Sequence, residues 1–597
     1  MTYNPISDYG IIGNMSSAAL VSIDGSIDWC CMTRFDSPAV FAALLDDKKG
    51  GRFQIKPPGP YRSSHAYISD SNVLQTTFET DEGTAVLTDF MPCHRIPSGR
   101  LVRVPEIHRR LECTRGNIEL AVVFQPALDY ARRDTRLTAS IHGVSAADGN
   151  SVLALSATVP LEVRDNGAGG RVTLKQGENT SFVLSYGSDK PQPIAVFRIE
   201  TRLISTISYW QTEAARCAYT GRWREDIIRS YLTLHLLVYK TTGAIIAAPT
   251  TSLPEEIGGE RNWDYRYAWL RDTSFTLNAF SRLGHTEEAV GFMKFLLRVY
   301  NTGGQKAQIL YNINFDTMEE ERTLGHLEGY RQSRPVRIGN NAYNQLQLDV
   351  FGEVLDAVSN FVDIGGFIGH QDWELLESFV NTASELWHQP DNGIWEVRGG
   401  PFHFVHSKMM CWVAVDRGIK LAGQLGYPAD LDRWHQAVID IREDIMKKGW
   451  DPEQGAFTQH YDTKTLDASN LLMPLYGFLP VTDEKVLSTI NATIEKLSGR
   501  DGLLRRYLTE ETDDGLSCGE GMFLWCSFWL VRNFILLGRV SEAETLYEKL
   551  LGYTNKLKLC SEMVDPVSGE ALGNFPQALS HLAIIIAGLE LNQAMRE

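Results

Sequence analysis

The sequence predicts two domains of different class: an N-terminal antiparallel β-sandwich over residues 1–220, then an (α/α)6 barrel of about twelve helices over 221–597, linker helix included. Two observations carry this. Short β-branched and aromatic runs separated by turn residues fill the first part of the chain, and between residues 210 and 223 the apolar residues change to helical spacing. The runs 85–90, 101–107, 118–124, 161–163 and 181–186 alternate with Gly, Asn, Asp and Pro, and their regular spacing suggests a sandwich.

After the boundary, helical periodicity recurs near 223–240, 272–284, 286–300, 342–360, 371–388, 404–423, 428–447, 468–477, 483–498, 520–538, 541–553 and 576–593. Short glycine-bearing turns such as Arg282-Leu-Gly-His285 and Leu537-Gly-Arg-Val540 stop one helix and start the next, as in antiparallel hairpins. Six hairpins closed on themselves form an α/α barrel. An open solenoid would need a fixed sequence period, and the sequence shows none.

Composition excludes several classes. Lys+Arg 57 against Asp+Glu 74 gives a net charge of -17 over 597 residues, without a basic block of the kind that nucleic acid requires. No apolar run reaches the length of a membrane span, and residues 1–10 lack the basic and apolar regions of a secretory leader. The nine cysteines, odd in number and without a CxxC pair, read as reduced core thiols, so a cytoplasmic location is expected. His403-Phe-Val-His406 lacks the further ligand a metal would need, and no phosphate-binding glycine loop occurs, so neither metal nor cofactor is expected.

Three acidic positions could carry chemistry. The segment 255–272 ends Trp-Asp-Tyr-Arg-Tyr-Ala-Trp-Leu-Arg-Asp, with Asp272 at the start of a helix. Alone, Asp272 would be an ordinary helix cap; beside Trp269 and Arg271 it completes a wall that can stack a sugar ring and hydrogen-bond its hydroxyls. Glu396 lies beside Trp395 in a glycine-rich loop, where an indole would desolvate the carboxyl and keep a proton on it, as a general acid requires; the ordinary alternative is a surface pair with Arg398. Glu520 precedes an apolar helix whose dipole favours the ionised carboxylate, which suits a base; ordinary charge complementarity with that dipole is the alternative. Two carboxyls from separate hairpins across a barrel mouth are what glycoside hydrolysis uses.

Ordered motifs then extend over nearly the whole chain: Ser7-Asp-Tyr-Gly-Ile-Ile-Gly-Asn14, Asp24-Gly-Ser-Ile-Asp-Trp29 with Arg34-Phe-Asp-Ser-Pro38, Asn262-Trp-Asp-Tyr-Arg-Tyr-Ala-Trp-Leu-Arg-Asp272, Tyr330-Arg-Gln-Ser-Arg-Pro-Val-Arg-Ile-Gly-Asn340, His406-Ser-Lys-Met-Met-Cys-Trp412 and Leu572-Gly-Asn-Phe-Pro-Gln-Ala578. In these the chain resembles glycoside hydrolase family 15, which includes glucoamylases, glucodextranases and trehalases; Ala268 and Cys31-Met-Thr33 depart from the pattern. The resemblance implies the same β-sandwich and (α/α)6 barrel. It matches Glu396 to the general acid and Glu520 to the general base, Trp269, Arg271 and Asp272 to residues holding the terminal glucose, and Arg506 to a further sugar-binding arginine.

The expected activity is an inverting, exo-acting α-glucoside hydrolase releasing β-D-glucose. Trehalose is the first choice of substrate, and α-1,4 or α-1,6 glucooligosaccharides are the alternative. An inverting sugar phosphorylase and a non-catalytic sugar-binding protein are further alternatives; Glu520 in the base position would repel phosphate, and the presence of both carboxyls argues against lost catalysis. Beyond a small carbohydrate, no nucleic acid or membrane partner is expected, and the chain is read as a monomer or homo-oligomer.

Overall fold

The computed structural model describes residues 3–303 and 308–597. Its first part is built around one strand, Glu106–Gln125, shared by two antiparallel layers. The first half pairs with Gly83–Phe90 and Asn179–Tyr186, the second with Arg52–Lys56 and Gly167–Lys175. A register shift between Cys113 and Arg115 lets the strand bend from one layer into the other. Just beyond it Gly116 takes φ +65°, and a Cβ there would lie 2.0 Å from the Glu82 carbonyl oxygen, so glycine is required. Phe53 of one layer meets Phe182 of the other at 6.2 Å between centroids, and Phe124 at 5.7 Å closes the same core.

The expected runs are present as strands, but 101–107 is split: Leu101–Arg103 forms its own small hairpin with Cys93–Arg95, and only its last two residues begin the long strand that holds all of 118–124. The glycine that reads as a turn in the sequence lies just past the bulge, inside the continuous strand.

Among the described residues twelve helices follow, a four-residue turn at Leu128–Ala131 aside. They are α1 (Ile199–Ala215), α2 (Arg224–Leu237), α3 (Leu270–Arg282), α4 (Thr286–Gly303), α5 (Asp349–Asp363) and α6 (His370–Leu386), then α7 (Val405–Leu425), α8 (Leu431–Lys448), α9 (Glu484–Leu497), α10 (Leu524–Leu536), α11 (Val540–Leu551) and α12 (Ala578–Ala594). An inner ring closes: α3 packs on α5, α5 on α7, α10 on α12 and α12 on α3, with the 3-10 turn Ala468–Leu472 bridging α7 and α10. This is the (α/α)6 barrel. Gly284 and Gly538, at φ +90° and +70°, end α3 and α10, with the next N–H returning to Phe280 and Phe534 respectively, each at 2.9 Å.

The fifth inner element differs from expectation, because 468–477 is not an α-helix. Asp467 accepts from the Ser469 N–H at 2.8 Å, Asn470 donates to the carbonyls of Phe457 and Thr458, and Pro474 prevents continuation.

The β-domain braces the loop that enters α3. Trp29 Nε1 donates to the Pro249 carbonyl at 2.7 Å. Arg266, 1% exposed, forms a two-pronged pair with Asp264 at 2.8 and 2.6 Å and donates to Tyr130 Oη and the Ser37 carbonyl. Every cysteine is unpaired, and all but Cys518 are buried. Among the described residues no helix is long and apolar enough to cross a membrane.

Candidate active site

A cavity of about 340 Å³ opens where the inner helices begin. Trp269, Arg271 and Asp272 come from the start of α3, Gln345 from the chain ahead of α5, Phe523 from just before α10, and Gln577 from just before α12. Exposed Asn341 and Arg398 stand at its mouth, while buried Arg271, Asp272 and Arg506 form its floor. The converging helix N-termini make this end of the barrel electropositive, which suits carboxylates and hydroxyl oxygens.

Trp269, Arg271, Asp272 and Glu396 are brought together. Trp269 Nε1 donates to Glu396 Oε1 at 3.2 Å, and Arg271 Nη1 donates to the same oxygen at 2.9 Å. Arg271 Nε donates to Asp272 Oδ2 at 3.1 Å, and its Nη1 also reaches the Ile394 carbonyl. Burial pushes the Asp272 carboxyl up to about 6, against the pull of Arg271. Glu396 sits at φ +52° in a tight turn, its own carbonyl held by Gln345 Nε2, so the backbone aims the side chain at the cavity. Among the described residues nothing bonds its Oε2. Arg398 pairs with Glu321 at 2.6 Å, so the ordinary surface pair with Glu396 is not formed.

The indole beside Glu396 is not the one the sequence suggests. Trp395 directs Nε1 at Asp467, 2.9 Å away, and packs on Phe523, Trp525 and Trp529. It lines the cavity and supports the Arg506 guanidinium, 5.4 Å from its ring centre, but the tryptophan that bonds Glu396 is Trp269.

Glu520 also departs from expectation. It is not among the residues lining the cavity. Its Oε2 accepts from Arg506 Nε at 3.0 Å and from Nη2, while Nη2 also holds Glu255 Oε2 at 2.7 Å. Helix α10 begins only at Leu524; Gly521 N–H bonds the Glu255 carbonyl and Met522–Phe523 pairs as a strand with Met563–Val564, so Glu520 points at Arg506 rather than capping a helix. Glu520 and Glu255 together fix Arg506, which lines the floor.

A further carboxyl in the cavity wall is Glu562, which the sequence reading missed. Tyr265 Oη donates to its Oε1 at 2.6 Å, and Oε2 is buried without a hydrogen-bond partner. Burial first, and the Glu255 charge second, push its pKa up to about 8; Tyr265 and Arg506 oppose this. Gly573 is needed beside it, since a Cβ there would stand 2.4 Å from Oε2. The available signal was its place just ahead of Leu572-Gly-Asn-Phe-Pro-Gln, in the segment that folds back as a hairpin.

A cavity lined by Glu396, Glu562, Asp272 and Asp514, with arginines and tryptophans, at the mouth of an (α/α)6 barrel has the makings of a glycoside hydrolase site. The comparisons place it more closely. The chain belongs to glycosyl hydrolases family 15, whose model matches residues 221–589, while a model described as trehalase-like, N-terminal matches residues 2–210. It is 36% identical to a trehalase of Thermoplasma volcanium over 99% of this chain and 94% of that one. It is 38% identical to a trehalase of Mycolicibacterium smegmatis, over 100% of this chain and 92% of the relative. A bacterial glucoamylase complexed with acarbose shares the fold, with a TM-score of 0.72 at 14% identity over 99% of this chain and 95% of that one. By its family the protein is a glycoside hydrolase.

Proposed function

We propose that this protein hydrolyses α,α-trehalose with inversion, with Glu396 as general acid and Glu562 as general base. The observation that carries the reading is that these two carboxyls wall one cavity whose floor holds Arg271, Asp272 and Arg506. The similarity to trehalases over nearly the full chain supports the choice of sugar. A cavity of about 340 Å³ is at the small end for ligand sites, in keeping with a disaccharide.

The non-reducing glucose lies on the floor, its hydroxyls held by Arg271 and Asp272 and its ring beside Trp269. Glu396, anchored through Oε1 by Trp269 and Arg271, presents a proton on Oε2 to the glycosidic oxygen. Glu562, anchored through Oε1 by Tyr265, uses Oε2 to take a proton from the attacking water. Its raised proton affinity makes it a stronger base once ionised. Arg506 is held in place by Glu255 and Glu520 and offers its remaining N–H groups to the sugar. The unpaired cysteines favour work in a reducing compartment such as the cytoplasm.

Glucose release from trehalose, maltose, maltotriose and isomaltose, each offered separately, tests the substrate. Release from trehalose alone is expected; cleavage confined to the maltooligosaccharides would replace the trehalase reading by a glucoamylase one.

A further inference from the structure

The mouth of the cavity carries a clamp that the proposed reaction leaves unused. Arg398 lies two residues past Glu396 and lines the same cavity, and its backbone N–H donates to the Asp514 carbonyl at 2.8 Å. Its guanidinium grips Glu321 with both amino nitrogens, Nη1 at 3.2 Å and Nη2 at 2.6 Å, and rests on the Trp263 ring, its central carbon 4.2 Å from the ring centre. An exposed ion pair alone would not hold a side chain still. This pair does, because the Glu321 side chain is only 11% exposed and is itself fixed.

Arg337 Nε meets Glu321 Oε1 at 3.1 Å, and its guanidinium carbon stands 4.5 Å from the centre of the same Trp263 ring. Asn341 takes the Glu321 backbone N–H on Oδ1 at 3.0 Å and returns its own N–H to Glu321 Oε2 at 3.4 Å. Arg337 Nη1 also donates to the carbonyls of Glu260 and Asn262, at 2.6 and 3.2 Å. The clamp thus joins three segments around the mouth: the loop that carries Glu396, the stretch 319–341 and the loop ahead of α3. Glu321, its centre, does not line the cavity.

We propose that Arg398, set in place by Glu321, is a specificity-determining residue that limits the leaving group to a single glucose ring. The glycosidic oxygen has to meet Glu396 while the non-reducing glucose lies on the floor, so the leaving ring sits on the mouth side of Glu396, against Arg398. Glu321 occupies two of the five guanidinium N–H groups, and the other three serve the hydroxyls of that ring. A second leaving-side ring would have to enter the space that the clamped guanidinium fills. Pushing Arg398 aside would take one of its two cations from the mostly buried Glu321 carboxylate, so the longer sugar is rejected by a group that resists moving.

The inference rests on Glu396 being the acid, since that places the leaving ring. The test compares kcat/KM of the full-length enzyme for trehalose and for α-glucosyl α-maltoside, the trisaccharide whose leaving glucose carries one further α-1,4 glucose, with maltose release as the readout. The wild type should favour trehalose by about tenfold or more, and Arg398→Ala and Glu321→Gln should each remove most of that preference. A role in folding alone would lower both rates together and leave their ratio in place. A wild type without the preference, or an unmoved ratio in Arg398→Ala, would overturn the inference; that variant, at an exposed position, decides alone if Glu321→Gln does not fold. If the wild type cleaves maltooligosaccharides instead of trehalose, the choice of substrate fails alone, and the same variants compared on maltose and maltotriose decide the role of Arg398.

Discussion

Arg271 Nη1 lies 2.9 Å from Glu396 Oε1, while Nε of the same guanidinium holds Asp272 Oδ2 at 3.1 Å. One arginine at the start of α3 thus ties a carboxyl of its own helix to one in the loop ahead of α7. The consequence is that Glu396 has one oxygen anchored and one left for chemistry.

Replacing Glu396 by Gln keeps the shape and removes the transferable proton. Turnover on trehalose should fall by about 10²–10⁴-fold with little change in KM. Steady-state kinetics on the purified variant checks this, and near-normal turnover would take Glu396 out of the mechanism.

Glu562 and Glu520 are separated by the same substitution. Glu562→Gln should cost about 10²–10⁴-fold in kcat, as loss of a base does. Glu520→Gln loosens Arg506, and its effect should fall mainly on KM, by about tenfold or less. A Glu520 variant as impaired in kcat as the Glu562 variant would restore Glu520 as the base.

Glu255 gives a pH prediction. Its charge is the second cause, after burial, of the raised Glu562 pKa. A base must be ionised, so activity rises with pH as Glu562 loses its proton. Glu255→Gln removes a like charge, lowers that pKa, and should move the acid limb of kcat/KM to lower pH by about half a unit or more. A limb that stays in place or moves upward would contradict this coupling.

The same shift affects stability. Folded Glu562 titrates at about 8, whereas an unfolded glutamate titrates at about 4.3. Between these values the folded state binds more protons, so this share of stability is full below the lower value and is lost as pH rises through the upper one. Gln cannot titrate. The thermal midpoint of Glu562→Gln relative to wild type should therefore rise between pH 5 and 9, as differential scanning fluorimetry would show.

Arg266 ties the β-domain to the loop that carries Trp269, Arg271 and Asp272. Arg266→Ala leaves Asp264, fully buried, without its cation, at a cost of about 3–5 kcal/mol. The thermal midpoint and the activity should fall together, and a variant of wild-type stability would argue against this bracing role.

Much of this architecture was legible in the sequence. The stop signals at Gly284 and Gly538 and the aromatic loop leading to Asp272 act locally and appear in the fold, whereas the first helix already starts at Ile199, ahead of the change of period near residue 210. Where the fold differs from the sequence pattern, long-range contacts are the cause. Ala468–Leu472 carries a helical apolar pattern, but Asp467 caps the Ser469 N–H, Asn470 bonds the distant backbone of Phe457 and Thr458, and Pro474 prevents continuation. Glu520 precedes an apolar helix in the sequence, yet pairing of Met522–Phe523 with a strand forty residues on delays α10 and turns the carboxyl to Arg506. Glu562 sits beside a two-residue strand, too short to leave a periodic signal, and it reaches the cavity wall only through that same long-range pairing. Local physics is readable in a single sequence, whereas contacts that depend on chain closure are not.

The most direct test is the anomeric composition of glucose formed from trehalose, followed by proton NMR before mutarotation. Attack by water under the control of Glu396 and Glu562 gives one β-glucose from the cleaved unit and one α-glucose from the leaving group, so equal initial amounts are expected. Initial release of α-glucose alone would mean retention, and would contradict the roles given to both carboxyls.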